Sequence, residues 1–263
     1  MSMGPVNSVL WLGGLGYILL SGRMGRYRFF GYIYIITFFI LSIVNSKPYY
    51  MAGAYFPLIS AGAIAVTSFS SQRLSKSLGY ASVALLLISF IALSPMAIPV
   101  LPPERFIEYS SVLGFRPQES ERHEQGELPQ HFADRFGWKE LTEAVASAYY
   151  SLPEVERKFT AIYGQNYGEA GAVTYYGRSK GLPPAISGHN NYWLWGPGNG
   201  ELRTVIIIGG EKEDHLEAFE EVEEHGRVTS RFSMPYENDL HVYIARKPKV
   251  GLNELWNQSK HYN

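Results

Sequence analysis

The sequence predicts a membrane α-helical region of about four transmembrane helices, followed by a small extracytoplasmic α/β domain with a mainly parallel sheet. Two observations favour this fold class. The chain has 263 residues and contains no Asp or Glu before Glu104, whereas acidic and basic residues mix freely after it. Apolar runs in the first part have the length of a bilayer crossing, and those in the second part have the length of buried strands. We therefore expect a membrane region at 1–103, a linker at 104–130 and the α/β domain at 131–263.

Four apolar stretches, at residues 6–21, 27–44, 50–69 and 78–101, are the predicted membrane helices. A crossing needs about 20 mostly apolar residues, so the last three are long enough and the first is short. The loop "GRMGRYR" carries three arginines and "SSQRLSK" carries two basic residues, while "NSKPYY" carries only Lys47. Loops rich in Lys and Arg stay in the cytoplasm. We expect a protein of the inner membrane, in contact with the lipid bilayer, whose α/β domain lies outside the cell membrane.

Prolines at 95, 99, 102 and 103 end the last apolar stretch, and the charged segment "RPQESERHEQGELPQ" predicts an exposed linker. The segment "GWKELTEAVASAYYSLP" then predicts a helix that buries Leu141, Val145 and Ala148. "KFTAIYG" and "RTVIIIGG" predict buried strands, each followed by a helical pattern, "EAGAVTYYG" and "DHLEAFEEVEEHG". Two further strands are expected near "RVTSRFSM" and "LHVYIARKP". Alternation of strands and helices is typical of a parallel sheet.

The stretch "GQNYGEAGAVTYYG" follows the first predicted strand, where α/β sheets bind ligands. It lacks the lysine and the glycine spacing of phosphate-binding loops, and Glu169 would repel a phosphate. We therefore expect a structural turn in which Asn166 caps the helix and Gly164 and Gly168 adopt a backbone geometry that other residues avoid.

Several classes of function are excluded by composition. The chain has no cysteine, and its seven histidines lack metal-ligand spacing, so we expect no metal and no cofactor. The sequence of the predicted soluble domain shows no cluster of Lys and Arg, so we do not expect it to bind nucleic acid.

Five segments in order resemble the C-terminal half of bacterial GT-C membrane glycosyltransferases, similar to dolichyl-phosphate-mannose protein mannosyltransferases and aminoarabinose transferases. They are "SKPYYMAGAYFPLISAGA", "PVLPP", "FADRFGWKELTEAVASAYYSLP", "NYGEAGAVTYYG" and "GLPPAISGHNNYWLWGP". The resemblance implies transfer of a sugar from a polyprenyl-phosphate donor at the outer face of the membrane. It also places the catalytic carboxylates of the family in an early extracytoplasmic loop.

This chain has no carboxylate before Glu104 that would serve as the general base. The catalytic residues are therefore unknown. We expect either an incomplete enzyme of this kind or a non-catalytic membrane-anchored accessory protein that binds a glycan or a protein partner. The incomplete enzyme would be a truncated gene product, a fragment of a longer reading frame, or one part of a split protein that works with a separate N-terminal half.

Two groups of residues are candidates for substrate binding. Lys47, flanked by Tyr49 and Tyr50, would offset the charge of a lipid phosphate, or it would be a snorkelling lysine in an interfacial aromatic belt. In "SGHNNYWLWGP", His189 and Asn190 are candidate glycan contacts. For Trp193 and Trp195 we favour a packing or membrane-anchoring role, as is common for large amphipathic side chains.

Overall fold

The structure, a computed structural model, describes residues 5–44, 46, 48–68, 72–115, 126–198 and 202–262. The chain divides into two compact units, Met1–Pro102 and Pro103–Asn263. The first unit is helical, and the second, the α/β unit, combines helices with one small sheet. Each unit has its own hydrophobic core.

The described part of the helical unit contains four α-helices: α1 (Pro5–Leu20), α2 (Arg28–Ile43), α3 (Ala52–Ser68) and α4 (Gln72–Leu93). Among the described residues, three helical segments are long and apolar enough to cross a membrane: Gly22–Ile43, Tyr49–Ser68 and Lys76–Met96. Helix α1 is apolar but has only 16 residues, which at 1.5 Å per residue is shorter than a bilayer core of about 30 Å. The described residues thus contain three candidate spans where the sequence predicts about four.

Helix α1 nevertheless packs closely on α3, and two glycines make this contact possible. A Cβ atom added to Gly14 would lie 1.8 Å from the carbonyl oxygen of Leu58, and one added to Gly62 would lie 2.1 Å from the carbonyl oxygen of Leu10. Small residues at a helix crossing allow backbones to approach in this way. Leu58 and Ile18 are almost completely buried beside the crossing.

Within its described residues the α/β unit contains seven α-helices and four strands. The helices are α5 (Pro103–Val112), α6 (Gln130–Ala133), α7 (Trp138–Ser151), α8 (Glu154–Arg157), α9 (Tyr167–Gly177), α10 (Lys212–Ala218) and α11 (Leu252–Gln258). The strands are β1 (Thr160–Gly164), β2 (Thr204–Ile208), β3 (Phe219–Val228) and β4 (Leu240–Pro248). Helix α7 buries Leu141, Val145 and Ala148, as predicted. Strands β1, β2 and β4 form where the sequence predicts strands.

The four strands form one mixed sheet in the order β1-β2-β4-β3. β1 and β2 pair in parallel, with Thr160 opposite Thr204 and Gly164 opposite Ile208. β4 runs antiparallel to both of its neighbours, β2 and β3. The prediction of a mainly parallel sheet is therefore wrong.

Part of the error arises in the segment 214–226, "DHLEAFEEVEEHG", which the sequence predicts as a helix: only its start is helical, in α10, and residues 219–226 belong to strand β3. Glutamate favours helices, but tertiary context overrides such a preference. As strand β3, the segment buries Phe219 and Val222 against the sheet and leaves Glu220, Glu221 and Glu223 exposed. The strand predicted near "RVTSRFSM" is confirmed only at its start, since β3 ends at Val228.

The two faces of the sheet are covered unequally. Helices α7 and α9 cover one face, where Ile162, Ile206 and Ile244 are buried in the main core. The other face carries Ile207, Tyr243 and Ala245, and it packs against side chains of the short helices α10 and α11. The loops after β1 and β2 leave the sheet at the same end, because the two strands are parallel.

The segment predicted as a linker, 104–130, contains helix α5. Phe106 in this helix is 1 % exposed and stacks on Phe132, with ring centroids 4.3 Å apart. Residues 116–125 of the segment lie outside the described residues.

Candidate functional site

The turn between β1 and α9 is a helix cap. The side chain of Asn166 accepts a hydrogen bond from the backbone N–H of Glu169 at 2.9 Å, and the Glu169 carboxyl accepts the N–H groups of Gln165 and Asn166 at 2.7 and 3.3 Å. These reciprocal bonds form a capping box, which satisfies donors that the first helical turn leaves unpaired. The predicted capping role of Asn166 is confirmed.

Glycine is required in this turn for space. A Cβ atom at Gly164 would lie 2.7 Å from the backbone nitrogen of Ala170, and one at Gly168 would lie 3.0 Å from Oδ1 of Asn166. Neither glycine has a positive φ, so the expected unusual backbone geometry is wrong for both. Gly164 instead lets the start of α9 approach the end of β1, with Ala170 fully buried.

His189 lies next to this turn and is buried. Its Nδ1 atom faces the backbone N–H of Tyr167 at 3.4 Å, and its Nε2 atom lies 2.8 Å from the side-chain amide of Asn190. The ring stacks on His261 at 4.8 Å and contacts the ring of Tyr167 at the same distance. Burial, reinforced by His261, lowers the pKa of His189. Both ring nitrogens have partners within the unit, so His189 is a structural support for its neighbours Tyr167 and Asn190.

The backbone around His189 is tightly constrained. A Cβ atom at Gly188 would lie 2.1 Å from the carbonyl oxygen of Ser259, because the segment after α11 runs directly past this residue. Asn190 donates its backbone N–H to the carbonyl of His261 at 2.9 Å and has a φ of 52°. A non-glycine residue in this left-handed region carries strain of the kind that collects at functional sites.

An open groove of about 540 Å³ lies over this constrained segment. It is lined by Tyr167, Asn190, Asn191, Tyr192, Leu194 and Trp195. Tyr167 is 55 % exposed and Trp195 is 76 % exposed. Two exposed aromatic rings beside two amide side chains are suited to a ligand with both C–H faces and hydroxyl groups. We call this surface the aromatic groove.

The two tryptophans of this segment have different roles. Trp193 stacks parallel to Trp256 at 6.3 Å, donates its indole N–H to the Trp256 carbonyl at 3.0 Å and lies beneath the Lys260 ammonium. The packing role expected for Trp193 is confirmed. The ring of Trp195 contacts Tyr192 at 4.5 Å and is otherwise largely exposed in the aromatic groove.

Two carboxyl groups of the α/β unit have strongly raised pKa values. Burial raises the pKa of Glu169 to about 7, with Glu237 adding to the effect and the capping N–H groups opposing it. Burial, followed by the charge of Asp134, raises the pKa of Glu237 to about 7. Both Glu169 oxygens accept hydrogen bonds in the cap, so this carboxyl is structural. One Glu237 oxygen is buried without a hydrogen-bond partner among the described residues.

The other candidate residues belong to the helical unit. Tyr49 and Tyr50 lie in the 3-10 helix Pro48–Met51 between α2 and α3, where their rings meet edge to face at 4.7 Å. Both are more than half exposed. Lys47 lies outside the described residues. The candidates thus fall into two groups, with Tyr49 and Tyr50 in one unit and His189 and Asn190 in the other.

Sequence reasoning missed two contributors to the site, Tyr167 and His261. Tyr167 lies at the start of α9, in the stretch that the sequence predicts to be a structural turn rather than a binding site. His261 is 72 residues away from His189 in the sequence, and no local pattern indicates that they touch. Among the described residues, no group of three or more His, Asp or Glu side chains is arranged to hold a metal ion.

Comparison of the chain with protein-family models, with curated proteins and with solved structures finds no match.

Proposed function

We propose that this chain is an integral membrane protein of the cell envelope whose α/β unit binds a carbohydrate in the aromatic groove. The observation that carries the proposal is the exposure of Tyr167 and Trp195 beside the amides of Asn190 and Asn191. Aromatic faces contact the C–H surfaces of sugars, and amides pair with hydroxyl groups as both donor and acceptor. The groove has the volume of an ordinary small-ligand site.

The biological context that we propose is sugar transfer from a polyprenyl-phosphate carrier. The resemblance of the sequence to GT-C glycosyltransferases supports this context. The three apolar helical segments support anchoring in the bilayer. The basic residues near the starts of α2 and α4 support an extracytoplasmic position for the α/β unit. In this arrangement the loop with Lys47, Tyr49 and Tyr50 would also face outward, where a lipid phosphate would need a cation.

Glycan binding is tested with the full chain in lipid nanodiscs. Binding of a panel of soluble oligosaccharides, built from hexoses or aminosugars, is measured by calorimetry. Trp195→Ala should weaken binding roughly tenfold, which corresponds to about 1.4 kcal/mol. Tyr175→Ala is the matched control, because Tyr175 is equally exposed at 76 % but does not line the groove. Equal loss in both variants, or no binding by the wild-type chain, would contradict the proposal.

A non-catalytic accessory role is favoured over catalysis by this chain alone, because no Asp or Glu precedes Glu104. The purified chain should then release no sugar from polyprenyl-phosphate donors to an acceptor or to water. Turnover that a single substitution in this chain abolishes would instead show that the catalytic base lies within it.

A further inference from the structure

The second face of the sheet contains a cavity that the proposed glycan site does not use. It has a volume of about 260 Å³ and lies between β1 and β2 on one side and α10 and α11 on the other. Its walls are mainly apolar and include Ile186, Val205, Ile207, Leu255 and Trp256. The two covering helices have only seven residues each, too few to cover this face as α7 and α9 cover the opposite one.

One end of the cavity is polar. Gln165 and His215 both line the cavity, and both side chains lie against Gly210. A Cβ atom added to Gly210 would be 3.0 Å from Nε2 of Gln165 and 2.9 Å from Nε2 of His215. The two side chains therefore converge at the carboxyl ends of β1 and β2.

These two side chains have unused hydrogen-bonding capacity. Nε2 of His215 lies 2.8 Å from the carbonyl oxygen of Gly209, so this nitrogen carries a proton and donates it. Within the described parts of the chain, Nδ1 of His215 and the side-chain amide of Gln165 have no hydrogen-bond partner. A hydroxyl group can donate one hydrogen bond and accept others, so it would match this pair.

The charge of the lining restricts the ligand further. The described residues that line the cavity include no Lys and no Arg. A carboxylate or phosphate there would lose water without gaining a counter-charge, which is costly. We propose that this cavity binds a neutral single-chain lipid alcohol, with its hydroxyl between Gln165 and His215 and its hydrocarbon chain along Ile207 and Leu255.

The test uses the full chain in nanodiscs and a medium-chain aliphatic alcohol that carries a photoactivatable diazirine. Cross-linked peptides are identified by mass spectrometry. We expect labels in β2 and α11 that an unlabelled alcohol competes away. The fatty acid of the same length should compete about tenfold less well at a pH where it is ionised. Equal competition by the acid, or no labelling of these two elements, would overturn the proposal.

Two variants test separately the part of the cavity that would hold the ligand's hydrocarbon tail and the part that would hold its hydroxyl group. Val205→Phe should fill the cavity and reduce labelling of α11 about tenfold, whereas Val155→Phe, at a position 73 % exposed on α8, should leave it unchanged. Gln165→Leu should keep labelling but abolish the preference for the alcohol over an alkane of equal length. Wild-type labelling in Val205→Phe would overturn the proposed position of the ligand's hydrocarbon tail. A retained alcohol preference in Gln165→Leu would overturn the proposed position of the ligand's hydroxyl group.

Discussion

The imidazole rings of His189 and His261 stack nearly parallel, with centroids 4.8 Å apart and an interplanar angle of 10°. The backbones of the two residues also form a parallel β-bridge. Asn190, which follows His189 and lines the aromatic groove, donates its backbone N–H to the His261 carbonyl. The segment that follows α11 therefore supports the aromatic groove. Side chains that position a binding surface in this way fix its geometry without touching the ligand.

Replacing His261 by alanine should therefore weaken glycan binding in the groove. Loss of the stacked ring leaves space beside His189, so the His189 ring can shift together with the Asn190 side-chain amide that contacts it. We expect a lower affinity for the glycan and a lower melting temperature of the full chain in nanodiscs. Tyr262→Ala is the control, since Tyr262 is adjacent in sequence, 63 % exposed and not part of the stack. If His261→Ala binds glycan as the wild type does, the supporting role is refuted.

The stability of the protein should depend on pH through Glu169 and Glu237. Burial raises both pKa values to about 7 from the ordinary value of 4.5. The folded protein then holds protons that the unfolded chain releases, so this contribution to stability is present below pH 4.5 and is lost as the pH rises through 7.

Glu237→Gln tests this dependence, because it removes a carboxyl with a buried unpaired oxygen. The variant should have a higher melting temperature than the wild type at pH 8 and a smaller loss of stability between pH 4.5 and pH 7. Glu254→Gln, on the exposed surface of α11, should change neither. An unchanged pH profile in Glu237→Gln would show that burial does not raise the pKa of Glu237.

Asn166→Ala should destabilise the α/β unit by about 1 kcal/mol through loss of the helix cap. For a chain of this size, that loss lowers the melting temperature by about 2–4 °C. Millimolar phosphate or nucleotide should not raise the melting temperature of the wild type, because Glu169 occupies the start of α9. A rise with nucleotide that disappears in Asn166→Ala would support a phosphate site after all.

The proposed topology predicts that the C-terminus is extracytoplasmic. Alkaline phosphatase fused to the C-terminus should be active, and a fluorescent protein that does not mature outside the cytoplasm should be dark there. Fusions placed after Lys76, at the basic start of α4, should give the opposite results. Fluorescence without phosphatase activity at the C-terminus would overturn the topology.

The sequence was most informative where one local pattern determines an element. The helical periodicity of Leu141, Val145 and Ala148 identified α7, and the glycine-terminated apolar runs identified β1 and β2. The Asn166 cap was predicted because all its atoms come from four consecutive residues.

Features that depend on long-range pairing were not predictable in this way. The reversed direction of β4 is set by its pairing with β2 and β3. Residues 219–226 of β3 are predicted as helix because their glutamates resemble a solvated helical face. The stack of His189 on His261 joins distant parts of the chain. For the site, the sequence indicated Asn190 as a lining residue but not the ring of Tyr167 beside it.

The acidic strand β3 has a further consequence for how copies of the protein meet. Among the described residues β3 is the last strand of the sheet and pairs with β4 alone, and the open edge of a ten-residue strand is a template for joining another sheet. Under the proposed membrane anchoring, copies of the chain are confined to one plane and meet each other more often than in free solution. Glu220 gives two such edges like charge, whereas Glu221 and Glu223 are paired with Lys247 and Arg246 of β4. The irregular register between Glu224 and Gly226 breaks the straight line that a second strand would follow. These features disfavour edge-to-edge pairing between copies of the chain.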